Sequence, residues 1–190
     1  MTRAALLAGA LAATLLGGCA SAYVRAETAL HRGQHAEAIR AYEEALGDRP
    51  ERLDALRGLG IARFKTGEYD RAADALARVV DRMPASAEAR LYLGLAHLVR
   101  RRDDEARAQL VEVRALGPHP RVAAQIERAL ALLQPDLSAP LRAFIAASLD
   151  DAVEWAWDVV EARRIPRAPL EPRWQLYWDG HYAYPLRLYP

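Results

Sequence analysis

Three prolines, Pro50, Pro84 and Pro118, stand 34 residues apart, and three alanines, Ala38, Ala72 and Ala106, keep the same interval twelve residues ahead of them. A fixed period of this length calls for one supersecondary unit repeated along the chain, each copy touching its neighbours. Between the periodic positions apolar residues recur at helical spacing, and each proline stops a helix because its ring cannot continue the hydrogen-bonded ladder. The period therefore predicts helical hairpins in units 19–52, 53–86 and 87–120. One hairpin cannot bury its own apolar face, so neighbours must stack, and about three units is the usual minimum for stability.

In the second unit Leu56, Leu59, Gly60, Phe64, Gly67, Tyr69, Ala72, Leu76, Val79 and Pro84, with the Gly-Glu-Tyr-Asp turn at 67–70, closely resemble the tetratricopeptide repeat. The third unit repeats Leu93, Gly94, Ala106, Leu110, Val113 and Pro118 but carries Arg101 and Asp103 where that family has its turn glycine and tyrosine. The first keeps Gly33, Ala38, Tyr42, Ala45 and Pro50, with Ala26 at the small-residue position. The resemblance implies an all-α fold, a right-handed solenoid of helical hairpins over residues 19–133. Gly60 and Gly94 are expected to face Ala72 and Ala106 so that paired helices approach closely, while Gly33 and Gly67 supply permissive backbone for the turn. Residues 121–133 take the place of a fourth first helix, yet Arg128 stands where the small residue belongs. No second helix should pack closely there, so this segment is expected to cap the array.

Residues 1–18 hold one basic residue, Arg3, an apolar run from Ala4 to Leu16 too short to span a bilayer, and small residues after it, the pattern of a secretory signal peptide. The junction Leu16-Gly17-Gly18-Cys19 resembles the bacterial lipobox, which implies cleavage before Cys19 and acylation of that residue. Cys19 is the only cysteine, so an internal disulfide is ruled out and lipidation accounts for a lone thiol in an exported chain. Two or three acyl chains hold a protein to a bilayer where one does not. Ala20 replaces the aspartate that retains many bacterial lipoproteins at the inner membrane, so the resemblance favours the outer membrane, facing the periplasm. A formal charge of +1 offers no field for nucleic acid.

In the family the groove is lined by first-helix positions two, five, nine, twelve and thirteen. The resemblance thus assigns to it Tyr23, Glu27, Leu30 and His31; Asp54, Arg57, Ile61, Phe64 and Lys65; and Glu88, Leu91, Leu95, Leu98 and Val99. Only Arg57 and Lys65 would serve a clamp for acidic peptide tails, so such a clamp is not expected. The Leu91, Leu95, Leu98 and Val99 set is large for an exposed apolar surface and needs a cover, either a partner or the chain's own C-terminal region.

Residues 134–165 form the candidate cover, a helix capped by Ser138 and running to about Arg164. Leu141, Phe144, Ile145, Leu149, Ala152, Trp155, Ala156 and Val159 make its apolar stripe, while Asp150, Asp151, Glu154, Asp158 and Glu161 read as a solvated face. Trp157 falls outside the stripe and is a candidate contact. Prolines at 166, 169 and 172 then force an extended start to the 166–190 tail, where Trp174, Tyr177, Trp178 and Tyr182 flank an Asp179-Gly180 hairpin signal. Such a hairpin is marginal alone and must dock on the solenoid, a partner or a glycan strand.

Chemistry-bearing patterns are missing. His31, His35, His97, His119 and His181 form no recognised metal set, and Gly58-Leu-Gly60 lacks the third glycine of a dinucleotide site. No Gly-x-Ser-x-Gly elbow is present. No cofactor is expected and the chain does not read as an enzyme. The sequence as a whole reads as a membrane-anchored adaptor or assembly scaffold for envelope proteins, the alternative being a glycan- or cell-wall-binding lipoprotein that uses the aromatic tail.

Overall fold

The structure is a computed structural model that describes residues 22–47, 49–134 and 137–164; side chains at 157 and 160–164 lie outside the described set. Cys19 with its signal segment, and Trp174, Tyr177, Trp178 and Tyr182 with the Asp179-Gly180 turn, also lie outside it, as does the side chain of Trp157. Eight helices and no strand are present among the described residues. They are α1 (22–31), α2 (His35–Gly47), α3 (Leu53–Lys65), α4 (Tyr69–Arg82), α5 (Ala87–Val99), α6 (Asp103–Ala115), α7 (Pro120–Leu132) and α8 (Ala139–Arg164). The fold is all-α, and none of these helices is long and apolar enough to cross a membrane.

The 34-residue period reappears as a period of burial. Ala38, Ala72 and Ala106 are fully buried, as are Tyr42, Leu76 and Leu110 four residues on. The helices α2, α4 and α6 stop two or three residues before Pro50, Pro84 and Pro118, where the missing N–H and the ring bar continuation. Each inner turn closes in one way. Gly33, Gly67 and Arg101 take positive φ, and the next residue, Gln34, Glu68 or Arg102, donates its N–H to the carbonyl five residues back, Ala29, Arg63 or His97. This is a Schellman closure, which satisfies carbonyls the helix end would otherwise leave unpaired. The third turn keeps the geometry although Arg101 stands where glycine would be strain-free.

Close approach of the paired helices brings leucine and glutamine side chains against the glycines as well. Gly94 does lie against Ala106, whose carbonyl is 3.5 Å from where a Cβ would sit, with Gln109 nearer at 3.2 Å. At Gly60 the nearest atoms belong to Leu76 of the facing helix, at 2.5 Å.

The last hairpin departs from the others. α7 starts at Pro120, whose missing N–H is harmless in a first turn, with the His119 Nδ1 accepting from the Arg121 N–H. It rests only lightly on α6, tied there by the Arg107 guanidinium donating to the carbonyls of Leu130 and Leu133. Contrary to expectation, a second helix does pair with it, because α8 runs back along α7. Arg128 is accommodated by pointing outward while Ala129 is buried, and a cavity of about 260 Å³ remains between Arg128, Leu132, Phe144 and Leu149. At 26 residues α8 is about 39 Å long, twice the length of α7, and its second half continues onto α5.

Which face of α8 is buried also differs from the sequence reading. Arg142, only 3% exposed, sits inside with Ile145, Ala146, Leu149, Ala152 and Val153, whereas Phe144 and Trp155 are 64% and 40% exposed. The rotation follows from a bidentate ion pair between Arg142 and Asp103, one of its bonds being 2.7 Å. Satisfying a buried guanidinium outweighs burying one ring, since an unpaired buried charge costs several kcal/mol, roughly 3–5, against about 1.5–3 for the ring. The same rotation turns Asp150 inward, so the acidic run is not purely a solvated face.

Candidate functional site: the concave groove

First helices line the concave side of a stacked array, and α1, α3 and α5 do so here. Leu91, Leu95 and Leu98 of α5 are buried in one cluster with Ile145, Leu149, Ala152 and Val153 of α8, and Val99 packs against that cluster. α8 packs on α5 and shares this buried cluster with the leucines, the self-coverage that the sequence left open as one of two choices. Phe64 is buried too, its ring edge-on to Tyr69 and Tyr92 at 5.5 Å each.

Beyond the leucines the groove stays open. A cleft of about 570 Å³ runs between α1 and α3 on one side and the Val153, Glu154 and Asp158 turns of α8 on the other. Of the sequence-assigned groove positions it gathers Glu27, Leu30, His31, Arg57, Ile61, Lys65 and Glu88, and it adds His35 and Tyr92. The Arg57 Nε lies 3.3 Å from the Glu88 carboxylate, linking α3 to α5 across the floor. At the first-repeat end the Tyr42 hydroxyl donates to Glu27 at 2.6 Å, and the Tyr23 ring, edge-on to Tyr42, lies 3.9 Å beneath the Arg52 guanidinium. Arg52 is itself paired with Asp54 at 2.7 Å, so Tyr23 and Asp54 lie at the rim, outside the open cleft. Burial, then the Glu27 and Asp54 carboxylates, push the Tyr23 phenol up to about 12.

Lys65 spans the cleft. Its ammonium donates to Asp150 at 2.6 Å and to Glu154, and the Tyr92 hydroxyl donates to the other Asp150 oxygen at 2.8 Å. Burial draws the Lys65 pKa down, but the hydrogen bonds to the two carboxylates reverse this and leave it above its ordinary value. Burial and the Asp150 charge raise the Tyr92 phenol well above its usual range. His35 faces the same space with a buried Nδ1 that has no hydrogen-bond partner, and burial followed by the Lys65 charge lowers its pKa.

Tyr92 escaped the sequence reading because helical periodicity assigns it to the core. The available signal was its register, since it is one 34-residue period beyond Gly58, on the groove side. Among the described residues no group of three or more histidine, cysteine, aspartate or glutamate side chains is placed to hold a metal. The arrangement offers hydrogen-bond donors, paired charges and an apolar floor, which is binding chemistry.

A family model described as tetratricopeptide repeat matches residues 23–82 and 58–120, together more than half of the chain. No curated protein matches. Among solved structures, MamA aligns with a TM-score of 0.54 at 19% identity, covering 88% of this chain and 98% of that one. The first tetratricopeptide domain of Spaghetti (RPAP3), bound to an HSP90 peptide, aligns at 0.53 and 18% identity over 60% of this chain and 94% of that one. An O-GlcNAc transferase of Thermobaculum terrenum aligns at 0.57 and 20% identity over 72% of this chain, which spans only 26% of the transferase's length. At these identities the structures show a shared fold, and the family model supplies the rest: the chain belongs to the tetratricopeptide repeat family, whose arrays are protein–protein interaction scaffolds.

Proposed function

We propose that this chain is a lipid-anchored adaptor of the bacterial cell envelope, held on the periplasmic side of the outer membrane through acylated Cys19, and that it binds a protein partner in its concave groove without chemistry of its own. The observation that carries the reading is the cleft of about 570 Å³ between α1, α3 and the end of α8, lined by first-helix side chains of three successive repeats. The Leu16-Gly17-Gly18-Cys19 junction supports the anchor. Tethering to a membrane raises the effective concentration toward partners in the same membrane, so a modest cleft can suffice.

A photo-crosslinking residue at His31, on the exposed rim of the cleft, tests the binding surface in cells. Capture of one envelope protein, lost when Arg57 and Glu88 are both replaced by alanine, is the expected result; capture of nothing, or capture unaffected by those replacements, would refute it. The anchor is tested by Cys19→Ala, which should leave the signal uncut or release the protein from membranes. Unchanged mature size with unchanged membrane attachment would sink it.

A further inference from the structure

Lys65 is the only lysine in a chain that otherwise uses arginine for its long cationic side chains. It lines the cleft, and its ammonium holds two carboxylates of α8, Asp150 and Glu154, one helical turn apart. A compact ammonium with three rotatable donors can serve two carboxylates at i and i+4 simultaneously. Tyr92 completes the grip on Asp150. No backbone packing joins α8 to α3; the reach across the cleft is made by this side chain. The wall built by the repeats carries Arg32, Arg57 and Lys65 against Glu27 and Glu88, while α8 supplies Glu154 and Asp158. The two sides are thus complementary in charge, with α8 lying where a ligand would.

We propose that Lys65 and Tyr92 form the recognition element of the groove, that α8 occupies it in cis as an internal ligand, and that the partner is a helical segment presenting two carboxylates one turn apart beside small apolar residues, which takes α8's place there. This rests on the groove being the protein-binding surface and specifies what it recognises. Only the second half of α8 need move, because its first half is pinned separately by Arg142 on Asp103.

The single lysine makes the idea measurable in the full chain. Modification of Lys65 by an amine-reactive ester, followed by peptide mass spectrometry, reports whether the ammonium is covered. Its side chain is 12% exposed, so reaction in the native chain should be slow. Asp150→Asn with Glu154→Gln should accelerate it at least tenfold, with α3 to α5 keeping their hydrogen-exchange protection. The same double variant should bind a labelled peptide of residues 139–164 at least tenfold more tightly than the native chain does. A peptide carrying the Asn and Gln replacements should fail to bind. Equal Lys65 reactivity in native and variant chains, or peptide binding indifferent to the carboxylates, would overturn the proposal. Should the double variant lose that protection, Tyr92→Phe, which removes one hydroxyl, is read the same way with a smaller expected acceleration of about threefold. Peptide binding without any cellular crosslink from His31 would leave the recognition element standing and remove the adaptor reading.

Discussion

Gly58 is the most constrained of the described helical glycines: a Cβ there would lie 2.2 Å from the Tyr42 ring, which is fully buried and hydrogen-bonded to Glu27. To yield, the ring would have to give up its buried place or its hydrogen bond to Glu27. Gly58→Ala should therefore destabilise the fold by about 1–2 kcal/mol, overpacking outweighing the helix-propensity gain of alanine. Gly47 has nothing within 4 Å of its notional Cβ, so Gly47→Ala should be neutral or slightly stabilising, and urea unfolding of the two variants separates the cases. Arg101 is the converse. At φ 61 it occupies left-handed backbone that costs an L-residue about 1 kcal/mol, so Arg101→Gly should raise stability by roughly 0.5–1 kcal/mol. An unchanged or lowered urea midpoint would show that the Arg101 side chain makes up for the strain.

Among the elements, α8 is tied at both halves by ion-pairing side chains, Arg142 on Asp103 and Lys65 on Asp150 and Glu154. Asp103 stands where the repeat pattern has a tyrosine, and the exchange is explained by Arg142, which it pairs with inside the fold. Asp103→Ala leaves a buried guanidinium uncompensated and should cost about 3–5 kcal/mol, whereas Asp103→Leu together with Arg142→Met should recover most of that loss. Denaturant unfolding of the three variants measures it, and equal losses in the single and double variants would mean that the pair is not what places α8. The exposed Phe144 and Trp155 belong to the same account. Trp155 lies against His119 and under the Arg121 guanidinium, 4.6 Å from the ring, so the start of α7 covers the part of it that is not exposed.

For the whole molecule, the perturbed groups define a pH window. His35 and His97 titrate below their ordinary 6.5, chiefly through burial, so the unfolded chain takes up protons first as pH falls. Their contribution is complete above about 6.5 and is lost as pH drops through the folded-state values. Tyr23, Tyr42, Tyr92 and Lys65 titrate above their ordinary values of 10.0 and 10.5, so their contribution is complete below these and is lost as pH rises through the raised ones. The urea midpoint should be flat from about pH 7 to 9.5 and fall on either side. His35→Gln with His97→Gln should flatten the acid limb; an acid limb unchanged in that variant would assign it to carboxylates instead.

Much of this architecture is legible along the chain. A repeat tells the same story several times, so Ala38, Ala72 and Ala106, the turn glycines and the terminal prolines each announce one hairpin, and local rules of helix termination and close packing are enough to read them. The groove positions came from the family resemblance rather than from such rules, and seven of the fourteen so assigned, from Glu27 to Glu88, line the open cleft. The two departures, Arg101 and Asp103, were visible as departures, but their meaning was not. Arg101 is held in a glycine conformation by the helices on either side of it, and Asp103 acquires its role from Arg142, 39 residues away. Likewise the cover over Leu91, Leu95 and Leu98, the inward turn of Asp150 and the grip of Lys65 on α8 arise from how a long helix rotates to satisfy one buried charge. Periodicity carries no record of that rotation, because it is set by contacts between segments that have no fixed spacing in the chain.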